Sequence, residues 1–353
     1  MDDTFTNLYQ FSPLKILNHP DRIGDIVNKK DARPVTLEID LSNACNMDCI
    51  WCTYKGKLKG EILIRSLVKK AIIEGRKLGI KSVVFNGGGE PLTSPHLLYA
   101  VKLASIEGLK TALITNGSLL DKNKIKDLLL YTEFIRISLD AASEKTFDLI
   151  RRPRGGRDGF QCVLENIKKF TEIRRKINSK TEIGIGYLVS HLNIQEIEKA
   201  ASLARSLGAD YIQFRPVCDH EPDFDDTFLK KLSHYMEGAK KYETKKFKVI
   251  FLLHRFLQKN EAEKNYSKCL ANYLTAVLCA DGKVYLCCQH KLNSKFEIGD
   301  LRIEHLKSIL FGRERKDLIG KIDPENCPIC RYDKYNEILN YLNDKKRRHT
   351  DFL

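Results

Sequence analysis

Strand-length apolar runs alternate with helix-length amphipathic stretches through the first two thirds of this chain, and that alternation narrows the fold more than any other feature. The strand candidates are Val35–Leu41, Ser82–Asn86, Lys110–Thr115, Phe134–Leu139, Thr181–Val189 and Tyr211–Val217. Between them lie Arg65–Leu78, His96–Glu107, Lys122–Tyr131, Phe160–Ile177 and Ile194–Leu207, with apolar residues at helical spacing. Gly79, Gly108 and Gly208 follow three of these helices as stop signals. Strands and helices in alternation, joined by short connections, give a parallel sheet. Six such units with right-handed crossovers predict an α/β fold, a partial (β/α)6 barrel short of the full eight-stranded form.

The alternation ends after Val217. Cys218–Asp226 is acidic and loop-like, Thr227–Lys246 reads as a charged helix, and Phe247–Leu253 as one more apolar strand. A cysteine-rich segment, Cys269–Cys330, follows. It contains a hairpin pattern: Leu274–Ala280, the turn Asp281-Gly282, then Lys283–Cys288. The tail from Arg331 reads as a short helix with a basic end. The expected organisation is an extension at 1–34, the barrel at 35–217, a linker at 218–268, the cysteine-rich domain at 269–330 and a tail at 331–353.

Composition sets outer bounds. Hydrophobic residues make up 42% and charged residues 30% of 353 residues, a globular composition. Lys and Arg number 60 against 46 Asp and Glu, a net charge of +14 that favours anionic partners, although solvated lysine-rich faces account for much of such an excess. No run is long enough to cross a membrane and the N-terminus has no secretory pattern, which predicts a cytoplasmic protein. In a reducing compartment its 11 cysteines are expected to bind metal rather than pair as disulfides.

The segment after the first strand reads Cys45-Asn-Met-Asp-Cys49-Ile-Trp-Cys52. Three thiolates at this spacing can hold one side of an iron–sulfur cluster, whereas a zinc site ordinarily wants four ligands. The spacing resembles the signature of the radical S-adenosylmethionine (radical SAM) superfamily, and Trp51, before the third cysteine, also fits. The resemblance covers about residues 35–217. It implies a four-iron cluster on Cys45, Cys49 and Cys52, whose open iron chelates S-adenosylmethionine and yields a 5′-deoxyadenosyl radical. It assigns Gly88, Gly89 and Glu90 of Asn86–Pro91 to the methionine amino group. Asn116, Ser138 and Asp140, at the ends of the third and fourth strands, match its ribose contacts. Gly184 and Gly186 could admit the adenine; packing and turn chemistry are the alternative for these positions.

Cys269, Gly282, Cys287 and the pair Cys327-Pro-Ile-Cys330 make a second pattern, in which four thiolates complete the coordination of one cluster. A four-cysteine zinc site has the same ligand count. The segment resembles the C-terminal extension called SPASM, or its shortened form Twitch. The chain has no cysteine after Cys330, which argues for the one-cluster form. Cys288 is an alternative ligand to Cys287, and Cys162 reads as a structural thiol.

The resemblance thus implies two [4Fe-4S] clusters, S-adenosylmethionine and an electron donor such as flavodoxin or ferredoxin. The expected substrate is a small, sugar-like alcohol oxidised to a ketone, with the auxiliary cluster as electron acceptor. Arg215, at the end of the sixth strand, is a candidate for binding a substrate oxygen or phosphate, or the methionine carboxylate. Asp219, His220, Glu221 and Asp223 are candidate bases or a solvated loop. An epimerase with Cys218 as hydrogen donor is the second reading. Peptide modification is a third, weakened by the short segment 1–34. Readings of another class are an RNA-binding protein, against which the lack of a base-stacking motif argues, and a zinc scaffold.

Overall fold

A computed structural model describes residues 11–28, 30, 32–155, 159–217, 224–258, 264–344 and 346–348. The strands are β1 (Thr36–Asp40), β2 (Ser82–Asn86), β3 (Lys110–Thr115), β4 (Phe134–Ser138) and β5 (Glu182–Val189). They continue with β6 (Tyr211–Pro216), β7 (Lys248–Phe251), β8 (Thr275–Leu278), β9 (Lys283–Tyr285) and β10 (Glu297–Asp300). All ten belong to one sheet in the order β10-β9-β8-β1-β2-β3-β4-β5-β6-β7.

The pairs from β1 to β6 are parallel, as the alternation predicts. Two features go beyond the expected six-stranded unit. β7, read from sequence as lying in a linker, pairs parallel with β6. β8 pairs parallel with β1, so the cysteine-rich segment continues the sheet at its opposite edge. β8 and β9 form the predicted hairpin around Gly282, whose φ of +84° suits the turn.

Side chains alternate between the two faces of each strand. Leu37, Ile39, Val83, Phe85, Ile135, Ile137, Ile183, Ile185, Ile212 and Phe214 point into one continuous apolar core shared with helices such as Arg65–Lys77 and Phe160–Lys176. The intervening positions, Glu38, Asp40, Arg136, Ser138 and Gln213, are polar. Sheet register therefore sends polar groups to the concave side while the helices cover the apolar side.

Helix Glu144–Arg151 was not expected from the sequence. Ser143 caps it by accepting the backbone N–H of Thr146, and its apolar stripe buries Phe147 and Ile150. It ends in the buried Arg151, which faces the cavity described next. Among the described residues no helix is long and apolar enough to cross a membrane.

Candidate active site

The carboxyl ends of the parallel strands enclose a cavity of about 360 Å³. Its wall includes Cys45, Cys49 and Cys52 from the loop after β1, Gly87 to Glu90 after β2, and Ser138 at the end of β4. Cys288, Gln289, Lys291 and Arg331 of the extension complete it.

The cysteine loop and the glycine turn dock through backbone. Gly89 donates to the carbonyl of Ser42 at 3.0 Å, and Glu90 to that of Ala44 at 2.8 Å. A Cβ on Gly89 would lie 2.1 Å from the Ala44 carbonyl oxygen, so this approach requires glycine. Cys45 and Cys49 are largely sheltered; burial pushes the Cys45 thiol up to about 11 and raises that of Cys49 as well. Ligation has to remove those protons. Among the described residues no three His, Cys, Asp or Glu side chains converge as a single bound ion requires. A four-iron cluster takes one thiolate per iron, so its ligands stand further apart.

The wall also carries buried polar atoms with no protein partner, the Trp51 Nε1 and the Asn86 Oδ1. Such atoms are rare in packed interiors and suit a site that a polar ligand completes. Trp51 itself packs against Ile150 and Val217.

Glu90 is buried, and its carboxylate accepts from Thr115 Oγ1 at 2.5 Å, Asn116 N at 2.7 Å and Leu92 N at 3.1 Å. Burial raises its pKa, and these donors oppose the rise. It fastens β3 to the glycine turn while facing the cavity. Asn116 lines the cavity too, but its amide is spent on Asn46 Oδ1 (2.9 Å) and on Ser118.

Asp140 and Gly186 do not occupy the wall where the sequence reading put them. Asp140 adopts φ +60°, and both carboxylate oxygens are taken by protein. One pairs with Arg151 Nη1 at 2.9 Å and the other accepts from Leu188 N at 2.8 Å. Its carboxylate holds Arg151 rather than facing a ribose. The open side of Gly186 faces the stem of Arg136 at 3.5 Å. That of Gly184 is filled by the Tyr211 ring, so neither leaves a slot for a flat base. Arg215 lines the cavity. Cys218, Asp219, His220, Glu221 and Asp223 lie outside the described residues.

Arg151 escaped the sequence reading. Its guanidinium is close enough to Cys49, Cys45 and Glu90 for their charges to act on it. The available signal was the serine-capped helix that ends on it. Glu38, Lys291 and Arg331 were also missed. Glu38 on β1 accepts from Asn86 Nδ2 at 2.9 Å, pairs with Arg331 and meets the Tyr332 hydroxyl at 3.3 Å. Lys291 is buried against Asp40 and sits 4.4 Å from the Tyr54 ring centroid.

The second cysteine set lies behind the Cys288 side of the cavity. Cys269 precedes the short helix Leu270–Leu274, Cys287 follows β9, and Cys327 and Cys330 precede helix Asp333–Asn343. Burial first, then a neighbouring thiol, pushes Cys269 up to about 11 and Cys287 up to about 12. Cys269 responds to Cys327, and Cys330 to Cys288 and Cys287, so the set is drawn together from three segments. Lys264 holds the Cys327 loop by donating to the carbonyls of Cys327 and Pro328 at 2.9 and 3.0 Å. Asn336 Nδ2 lies 3.5 Å from Cys269 Sγ. The ten described cysteines are free thiols. Cys288, on the cavity wall, carries a main-chain carbonyl that accepts from the Tyr54 hydroxyl at 2.9 Å.

Comparison with known proteins fits this arrangement. The radical SAM superfamily model matches residues 39–204, and the model of the SPASM iron–sulfur cluster-binding domain matches residues 269–332. An AdoMet-dependent heme synthase of Methanosarcina barkeri is 26% identical over 85% of this chain and 89% of its own length. A probable GTP 3′,8-cyclase of Saccharolobus solfataricus is 31% identical over 57% of this chain and 64% of its own length. Streptococcus suis SuiB, solved with its precursor peptide SuiA, shares the fold with a TM-score of 0.65 at 16% identity, over 91% of this chain and 74% of that one.

Proposed function

The chain carries a radical SAM domain followed by a SPASM iron–sulfur cluster-binding domain, and from that premise we propose that it oxidises an alcohol carbon of a small, sugar-like substrate held between the two cysteine sets. These domains imply a four-iron cluster, an auxiliary cluster and S-adenosylmethionine. One observation carries the reading: Cys45, Cys49 and Cys52 share a single cavity wall with Cys288, Gln289, Lys291 and Arg331 of the extension. A substrate there touches both domains at once.

Cys45, Cys49 and Cys52 hold the first cluster, and Cys269, Cys287, Cys327 and Cys330 the second. Gly88, Gly89 and Glu90 take the methionine amino group, and Arg151, fixed by Asp140, the methionine carboxylate. When bound, the first cluster with S-adenosylmethionine would supply hydrogen-atom abstraction from carbon, and the auxiliary cluster would supply an electron acceptor. The protein supplies the proton acceptor. Besides Glu90, Glu38 is the carboxylate on the described part of the wall, and it takes the substrate hydroxyl proton at Oε1 or Oε2. Ser138 and Trp51 offer polar groups for orienting the bound molecules. A flavodoxin or ferredoxin type of donor starts the cycle.

The test is anaerobic turnover of the reconstituted protein with S-adenosylmethionine, reductant and a panel of polyhydroxylated alcohols. Substrate-dependent 5′-deoxyadenosine with a matching amount of ketone supports the reading. Solvent deuterium entering an epimerised carbon with no ketone overturns it in favour of epimerisation.

A further inference from the structure

The cavity is more cationic than the reading above requires. Six cations line it: Arg136, Arg151, Arg215, Arg255, Lys291 and Arg331. Three have carboxylate partners, Arg151 with Asp140, Lys291 with Asp40, and Arg331 with Glu38. Arg136 is different. It leaves β4, crosses β5 where Gly186 has no side chain, and reaches β6, where its Nη1 donates to Gln213 Oε1 at 3.2 Å.

That partner is neutral. No carboxylate of the described residues makes an ion pair with Arg136, and its buried Nε has no hydrogen-bond acceptor. Burial, with like charge from Arg331 and Arg255, lowers its pKa against the weaker opposing charge of Asp140, whose own ion pair is with Arg151. Tyr211, seated over Gly184, is no counterion, since burial pushes its phenol up to about 12. A buried charge with only a neutral partner is costly unless something completes it. Arg136 is also distinct from the arginine beside the cysteine loop: Arg151 is held by the Asp140 carboxylate, whereas Arg136 has the neutral Gln213 as its hydrogen-bond partner.

We propose that Arg136, set by Gln213 and Gly186 and flanked by Arg215 and Arg255, forms an oxyanion subsite, so that the substrate carries a carboxylate or phosphate group. The guanidinium fork suits either group. This proposal rests on reading the cavity as the reaction chamber, and S-adenosylmethionine cleavage by the same variant tests that reading separately.

The experiment uses holoenzyme with both clusters and bound S-adenosylmethionine, titrated calorimetrically with inorganic phosphate and, in a second arm, with succinate. One saturable site is expected for at least one probe, and the tighter arm identifies the group. Arg136→Gln should weaken that binding by about ten- to a hundredfold, as expected for loss of a charge-assisted bond. Arg136→Lys should recover part of it. The exposed Arg313→Gln should leave it unchanged. The affinity for S-adenosylmethionine and its reductive cleavage should survive Arg136→Gln. An equal loss of S-adenosylmethionine affinity would make Arg136 the methionine carboxylate site and overturn the proposal. So would the absence of saturable binding in both arms, or binding that Arg136→Gln does not alter. Failure of wild-type cleavage overturns the reading of the chamber instead.

Discussion

The ammonium of Lys291 stands 2.6 Å from a carboxylate oxygen of Asp40, and both side chains are almost fully buried. The pair joins the cysteine-rich extension to β1 across 251 positions of sequence. Cys279 Sγ approaches the same Asp40 oxygen at 3.6 Å, and the Tyr54 ring lies against Lys291. Tyr54 follows Cys52 by two residues, so one polar knot touches the loops of both cysteine sets.

Lys291→Met would leave Asp40 buried without its cation. Removing one member of a buried pair costs about 3–5 kcal/mol. The denaturation midpoint of the reconstituted protein should fall accordingly. Adding Asp40→Leu should restore much of the loss, because the uncompensated charge goes too. A single variant as stable as wild type would show that the pair does not hold the extension.

The two cysteine sets should separate in iron content and chemistry. Wild type should hold roughly eight irons per chain. Alanine at Cys45, Cys49 and Cys52 should remove half of them and all S-adenosylmethionine cleavage. Alanine at Cys327 and Cys330 should also remove half, but leave cleavage intact while product falls. Lys264, which ties the Cys327 loop through its main chain, keeps that segment in place in the second variant. Full product formation without the auxiliary set would refute its part in turnover.

Glu90 makes three hydrogen bonds to protein, so Glu90→Ala would disturb β3 as well as the cavity. Glu90→Gln keeps the shape and removes the charge. A charged group bound to an ammonium contributes about 1.5–3 kcal/mol, so affinity for S-adenosylmethionine should drop roughly ten- to a hundredfold, with iron content unchanged. Equilibrium binding that matches wild type would remove Glu90 from the methionine site.

The strands were legible because a parallel strand with helices on one face reads as a short run of apolar residues, and β2 and β3 occur at the bounds expected. The hairpin was legible through Asp281-Gly282. Which edge the extension joins was not, since no local pattern of Thr275–Leu278 points to β1. Side-chain direction was equally hidden. Asp140 lies at a strand end where a ribose contact was expected, yet its left-handed backbone turns the carboxylate to Arg151. Gly186 read as room for a ligand and is room for Arg136. Arg136, Glu38 and Lys291 sit among ordinary charged residues in the sequence, and only the register of distant strands brings them to one cavity.

Glu38 offers the sharpest test of the proposed proton transfer. It sits one strand position before Ile39, on the polar face of β1, with Arg331 and Asn86 fixing its two oxygens. Glu38→Gln keeps the volume and one accepting oxygen, gives up the other to an amide nitrogen, and cannot take a proton at neutral pH. Loss of a general base costs about 10²- to 10⁴-fold in rate, so kcat for ketone formation should fall in that range while KM changes little. S-adenosylmethionine cleavage should persist, uncoupled from product, because Glu38 plays no part in holding the cluster or the methionine end. Tyr332→Phe removes the longer 3.3 Å contact to Glu38 and should leave most of the rate. A Glu38→Gln enzyme that makes ketone at the wild-type rate would place the base elsewhere.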